Sequence, residues 1–529
     1  MRYRARRQPS SEPVARHDQR GILTPLTSSR ARRILGGWSA NVIQLLLAMT
    51  QQIVLIPLFL RYWTGDSLSA WLTIFAAGNL VLAADAGLHG WTLNRFLAFK
   101  SRNDCDRRSG RYYGAALQLF VAFTTLLAAL LLVTFALVSP AGVLGFSARP
   151  DFDPAFALMT LGMVLTLPMN LASALYRARG LYGRIVHVQL WGTAAGQIGQ
   201  VAAVIATGSL LPVVIAYVAG QVVTLIYILL VDVRRQFPFI GSFRQRISWR
   251  WTAAQFVGAA PFGVMNFAEV GLSYLSVLMI GSLVSDRIAI AQWGLTRTIS
   301  GLLRGVGVQM TLPLAAELGH DHAIGARDSL QRLYARASII LVSLVSVTTA
   351  GALVFWQDFF AIWTHGAIPY NAALASILLL GMCVGAPAIL ALSYANYSNR
   401  GPLLLWTKSL QLAIFLLLSV ILIPPLGPLG AAIALVSSDI VAQLGILSVI
   451  IVRETLRHPL RHTLLVFAMM TVIMSVGVAV GVFIRHMLPG TGIPHFLVEC
   501  TLWLVMVALL SSPLSSKMLR RRLLEAIPR

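Results

Sequence analysis

Cysteine, lysine and acidic residues are all scarce in this chain of 529 residues. The three cysteines, Cys105, Cys383 and Cys500, lie far apart, and none belongs to a Cys-x-x-Cys pair. Neither a disulfide framework nor a zinc site is indicated. Only 12% of the residues are charged, whereas a soluble globular protein carries about 25%. A soluble two-domain enzyme and a disordered chain are both excluded on that ground. Walker, Gly-x-Ser-x-Gly and His-Glu-x-x-His patterns are missing as well, so no catalytic centre, metal or cofactor is expected.

What the chain has instead is apolar sequence: 57% of residues are hydrophobic and the mean hydropathy is +0.75. About 20 apolar residues span the ~30 Å hydrocarbon core of a bilayer. Fourteen such runs can be marked, at about 38–60, 68–90, 112–138, 154–176, 185–206, 209–231, 252–283, 288–314, 335–357, 371–394, 402–423, 428–452, 463–485 and 496–513. They predict an all-α polytopic membrane protein with about 14 transmembrane helices.

The charges agree with that count. Net charge is +23, which would ordinarily suggest nucleic acid. Here the cations flank the apolar runs, so membrane orientation accounts for them and no nucleic-acid partner is expected. With the N-terminus inside, 35 of the 42 Lys and Arg residues fall on inside segments, 4 on outside loops and 3 within runs. Both termini are then cytoplasmic, which requires an even number of helices. Arg outnumbers Lys 39 to 3, a composition that points to a GC-rich bacterial genome.

Segments 1–37 and 514–529 read as a basic cytoplasmic arm and tail, the arm suited to anionic lipid. The run from Trp38 is too long for a signal-peptide core and reads as an uncleaved helix. Long inside loops follow runs 2 and 8, and short inside turns follow runs 4 and 10. That shared rhythm predicts two six-helix bundles in one orientation, 38–231 and 252–452, joined by a basic linker at 232–251. Residues 463–513 add helices 13 and 14. Trp63, Trp71, Trp91, Trp249, Trp251, Trp356 and Trp363 fit an interfacial belt. Trp191 and Trp293 lie deeper and suggest core packing.

Outside loops stay below about twenty residues, so function is sought between the helices. An ionisable group at bilayer depth costs ~2.5–3.5 kcal/mol to insert and is informative for that reason. Arg297 and Arg304 lie seven residues apart on run 8, hence on one face; Lys408 lies within run 11. They read as a cationic lining for a phosphate-bearing substrate, since the guanidinium fork matches phosphate oxygens. The alternative is internal pairing with Glu269 of run 7 or Asp439 of run 12, or snorkelling of Arg304 and Lys408. Glu269 and Asp439 read either as ion-coupling carboxylates or as partners that neutralise a cation. Asn41, Gln44 and Gln51 form a stripe on run 1 that would border a wet cavity and bind sugar hydroxyls, or else bond between helices. Gln197 and Gln200 read as packing residues. At the end of run 2, Gly87 and Gly90 would break the helix, leaving Asp85, with Arg95, to cap or latch an inner gate.

Asp85-x-Gly87-Leu88 followed by Asn94-Arg95-Phe96, Pro261 opening run 7, Arg179-Gly180, Asn396 and Asn399-Arg400-Gly401 are similar to motifs of the polysaccharide-lipid flippases in the multidrug/oligosaccharidyl-lipid/polysaccharide (MOP) superfamily, as is the hairpin from Leu278-Met279-Ile280-Gly281 to Ile288-Ala289. The chain departs from that pattern around Tyr274-Leu275-Ser276, where an acidic residue is frequent; Glu269 stands earlier. The resemblance implies a V-shaped pair of bundles in the bacterial inner membrane. These would carry a polyprenyl-diphosphate-linked oligosaccharide from the inner to the outer leaflet by alternating access, alongside a polysaccharide polymerase and glycosyltransferases. Helices 13 and 14 would hold the lipid tail. Competing readings are a MATE-type antiporter of drugs or cations, which would want acidic cavity residues, and a membrane-embedded polysaccharide polymerase or ligase, which would want a large outside loop.

Overall fold

The structure is a computed structural model that describes residues 53–100, 104–240, 247–490 and 492–511. Asn41, Gln44 and Gln51, the arm at 1–37 and the tail at 514–529 lie outside the described residues. Among the described residues the regular structure is entirely helical. The first half of the chain forms α1 (Ile53–Tyr62), α2 (Gly65–Val81), α3 (Leu88–Lys100), α4 (Cys105–Leu137), α5 (Pro140–Leu144), α6 (Phe152–Leu165), α7 (Pro168–Ala178), α8 (Tyr182–Thr207), α9 (Leu210–Ile226) and α10 (Val233–Gln236). The second forms α11 (Trp249–Leu283), α12 (Ile288–Ala323), α13 (Arg327–Thr364), α14 (Ala372–Val384), α15 (Ala386–Tyr397), α16 (Gly401–Leu426), α17 (Pro428–Asp439) and α18 (Val449–Thr455), followed by α19 (Pro459–Met487) and α20 (Ile493–Ser511).

The chain is therefore a polytopic all-α protein, and every one of the fourteen apolar runs has a helix in it. Ten of the described helices are long and apolar enough to cross a membrane, eleven with α14 and α15 taken as one span bent by 50°. The runs of α1, α8 and α12 are the three left over. Only ten residues of α1 are described. Helices α8 and α12 have 26 and 36 residues, ample at 1.5 Å per residue, but their polar side chains lower their hydropathy. Among these are Gln197 and Gln200 on α8, and Arg297 and Arg304 on α12. Polarity inside a membrane is tolerated where it faces a cavity, and both helices do so below.

Alternation of the helices places Arg179, Arg184, Arg400 and Arg457 at one end, called here the basic end. At the opposite end a single apolar cluster joins both halves, with Phe59, Trp63 and Trp71 packed in the same cluster as Trp356, Phe360 and Trp363. Trp63, Trp71, Trp356 and Trp363 are thus buried in helix packing and do not form a lipid-facing belt, a correction to the sequence expectation. Trp363 Nε1 donates to Ile53 O at 2.9 Å. Trp293 is fully buried, as expected of a packing residue, and donates to Ser276 Oγ at 3.0 Å. Trp191, by contrast, is 76% exposed and does not pack inside.

Helix α2 ends as the sequence suggests. A 3-10 turn, Leu82–Asp85, leads into Ala86 at φ 52° and Gly87 at φ 77°. Asp85 is buried, and its Oδ1 accepts from Gly87 N at 2.8 Å and from Asn266 Nδ2 of α11 at 3.4 Å. It caps the break and also ties the two halves together. Arg95 does not join it; its guanidinium lies over the Trp91 ring, 5.1 Å from the centroid. The break is tight because backbone meets backbone. A Cβ on Gly87 would sit 2.1 Å from Gly263 N and 2.4 Å from Ala259 O. Gly87→Ala should therefore lower the melting temperature of the purified protein, costing about 1–3 kcal/mol through overpacking, with left-handed backbone strain added. An unchanged melting temperature would mean that the seam opens there readily.

Candidate functional site

A chamber of about 540 Å³ lies between the two halves, within the ~300–1,000 Å³ usual for ligand sites. Its two sides differ in chemistry. Helices α11, α12 and α17 contribute Ser273, Arg297, Arg304 and Asp439, whereas α1, α2 and α8 contribute Phe59, Trp71, Phe75 and Gln200. All the chamber's ionisable lining groups except Tyr274, a weak acid also on α11, thus come from two helices of the second half.

Arg297 and Arg304 reach the chamber together because seven residues is about two helical turns. They differ in their partners. Arg304 Nη1 stands 3.4 Å from Asp439 Oδ2. The other carboxylate oxygen of Asp439 accepts from Gln411 Nε2 at 3.0 Å, and Gln411 Oε1 accepts from Gln443 Nε2 at 2.9 Å. Gln443 lies in the π-helical stretch Ile440–Ser448 that begins directly after Asp439. Such widened turns are frequent at functional sites. Arg297 has no carboxylate partner among the described residues. Its Nη1 donates to Ser273 O, its Nη2 donates to Leu272 O at 3.2 Å, and its Nε is buried without a partner. The Trp293 ring one turn away lies 6.0 Å from the guanidinium carbon, near the limit of a cation–π contact.

Lys408 is placed differently. It does not line the chamber; Nζ pairs with Glu269 Oε2 at 2.7 Å. Lys408 is the buried member, its side chain 7% exposed against 65% for Glu269. The internal pairing weighed for these cations thus occurs for Arg304 and Lys408 and not for Arg297. The expected gate pair Asp85 and Arg95 is not brought together.

Two features escaped the sequence reading. Gln200, read there as packing, is buried and lines the chamber, and its Nε2 has no partner among the described residues. Phe75 and Trp71 form an aromatic wall of the chamber, held by edge contacts to Tyr217 at 5.7 and 6.2 Å. The spacing of Gln197 and Gln200 was the available signal, but it does not reveal which neighbour a face meets.

Contacts cross the seam at both ends of the chamber. Toward the basic end, Gln255 Oε1 of α11 accepts from Trp91 Nε1 at 2.9 Å and from Tyr112 OH at 3.1 Å. At the other end, Arg287 Nη1 donates to Leu144 O at 2.9 Å and its guanidinium faces Phe146 at 5.4 Å. Each is a small contact set that a rigid-body rocking of one half could exchange.

No family model matches the chain, and no curated protein matches its sequence. Solved structures do match. One is the lipid II flippase MurJ in an inward closed conformation, with a TM-score of 0.69 at 10% identity over 91% of this chain and 100% of that one. Another is a multidrug resistance MATE family transporter of the MOP superfamily in an inward-facing conformation, with a TM-score of 0.60 at 13% identity over 81% and 98%. A third is a variant of a MATE transporter from Vibrio cholerae, with a TM-score of 0.53 at 15% identity over 81% and 97%. The chain has the fold of the MOP-superfamily transporters.

Proposed function

We propose that this protein is a flippase of the bacterial cytoplasmic membrane. It carries a polyprenyl-diphosphate-linked oligosaccharide from the inner to the outer leaflet by alternating access, supplying surface polysaccharide biosynthesis. The basic end is the cytoplasmic end, and both termini lie there. The observation that carries the reading is Arg297, a guanidinium held by two carbonyls in a chamber at bilayer depth, with no carboxylate in ion-pair contact among the described residues. A diphosphate supplies what it lacks. Charged hydrogen bonds to phosphate are about twice as strong as neutral ones, and low local polarity strengthens them further. The lipid tail stays in hydrocarbon while the polar headgroup crosses between the halves.

Drug or cation antiport is the weaker reading, because both candidate carboxylates, Asp439 and Glu269, are already paired with cations. The test is reconstitution. Vesicles holding the purified protein should move a fluorescent polyprenyl-diphosphate oligosaccharide to the opposite leaflet, as read by accessibility to a membrane-impermeant quencher. Flux no faster than in protein-free vesicles would overturn the reading.

A further inference from the structure

The two faces of the chamber divide the ligand between them. Charge sits on the second half of the chain, at Arg297 and Arg304; aromatic surface and an unsatisfied amide sit on the first half, at Phe75, Trp71 and Gln200. We infer that Phe75 and Gln200 form a monosaccharide subsite, distinct from the anion site, that reads the sugar next to the phosphate. The inference rests on the flippase reading above and adds what the chamber recognises beyond charge.

Phe75 is only partly buried, so its ring is available to the chamber, whereas Trp71 beside it is buried. Trp71 lies 5.8 Å from Phe75 at an interplanar angle of 37°, and Tyr217 meets both rings edge-on. The platform is thereby fixed before any ligand arrives, so little ordering is needed on binding. The axial C–H face of a pyranose is apolar and matches such a ring. A pyranose also carries hydroxyls, and in N-acetylhexosamines an amide carbonyl; these need donors. Among the described residues Gln200 Nε2 is a buried donor with no partner, and leaving it so costs about 1–3 kcal/mol. An acceptor on the sugar would relieve that cost. An apolar ligand would not.

The subsite is tested with two probes, a short-chain polyprenyl diphosphate and the same lipid bearing a single N-acetylhexosamine. Binding of each is measured on the purified full chain and on Phe75→Leu, Gln200→Leu and Arg297→Gln. Phe75→Leu and Gln200→Leu should each weaken the glycosylated lipid by about tenfold (~1.4 kcal/mol) and leave the bare lipid unchanged. Phe75→Tyr, which keeps the ring, should bind both lipids as the parent does. Arg297→Gln should weaken both probes alike. Should Phe75→Leu and Gln200→Leu affect the two lipids equally, or neither of them, the sugar subsite is wrong while the anion site stands. If the parent protein binds neither lipid, the flippase reading fails, and the subsite with it.

Discussion

Replacing Arg297 by alanine should abolish export of surface polysaccharide while the protein still inserts, folds and accumulates in the membrane. Arg297 is the chamber cation without an ion-pair contact among the described residues, and its removal deletes the group on which the diphosphate would rest. Folding should survive because no carboxylate is stranded. The partners lost are the carbonyls of Leu272 and Ser273, and each helical carbonyl can keep its intrahelical bond. Arg304→Ala is a different case, since it leaves Asp439 without its cation; its phenotype mixes loss of charge with loss of structure. The check is complementation of an export-deficient strain, with membrane levels of the variant measured in parallel. Full surface polysaccharide from the Arg297→Ala variant would remove the cationic site from the mechanism.

The second large effect concerns stability. Lys408 and Glu269 form one ion pair, but their burial is unequal: 7% exposure for the lysine side chain and 65% for the glutamate. Removing a partner costs more when the group left behind is the more enclosed and has no other counter-charge near it. Glu269→Leu strands the ammonium of Lys408 among α11 and α16 side chains, and breaking a buried pair from one side costs about 3–5 kcal/mol. Lys408→Met leaves a carboxylate that still has the charges of Arg304 and Arg297 nearby, so its cost should be the smaller of the two. The double variant should recover most of what Glu269→Leu loses, since no charge then remains unpaired. Thermal unfolding of the purified variants measures this order directly. Equal losses from the two single variants would show that the pair is not asymmetric in the way its burial indicates.

These expectations locate where sequence reading succeeds and where it stops. Position within a helix is legible, because a run of apolar residues fixes where its middle lies; Arg297, Arg304, Lys408, Glu269 and Asp439 stand out on that basis. Broken helices are legible too: Asp85-Ala86-Gly87 predicts the end of α2, and Gly87 is found at φ 77°. Partners are not legible. The helical period tells which residues share a face, but not that α16 lies against α11 and brings Lys408 to Glu269, nor that α17 brings Asp439 to Arg304. The same limit hid Gln200, whose face meets the chamber, and misplaced Trp191, whose face meets the outside. The runs at 185–206 and 288–314 do mark α8 and α12, although helices that border a polar chamber cannot be uniformly apolar.

The central claim is that Arg297 grips a diphosphate, and equilibrium binding of a short-chain polyprenyl diphosphate to the purified parent and Arg297→Ala proteins tests it most directly. Loss of one charge-assisted contact, worth about 1.5–3 kcal/mol, should weaken binding by roughly 10- to 150-fold without changing the melting temperature of the unliganded protein. Equal affinity in the two proteins would contradict the account.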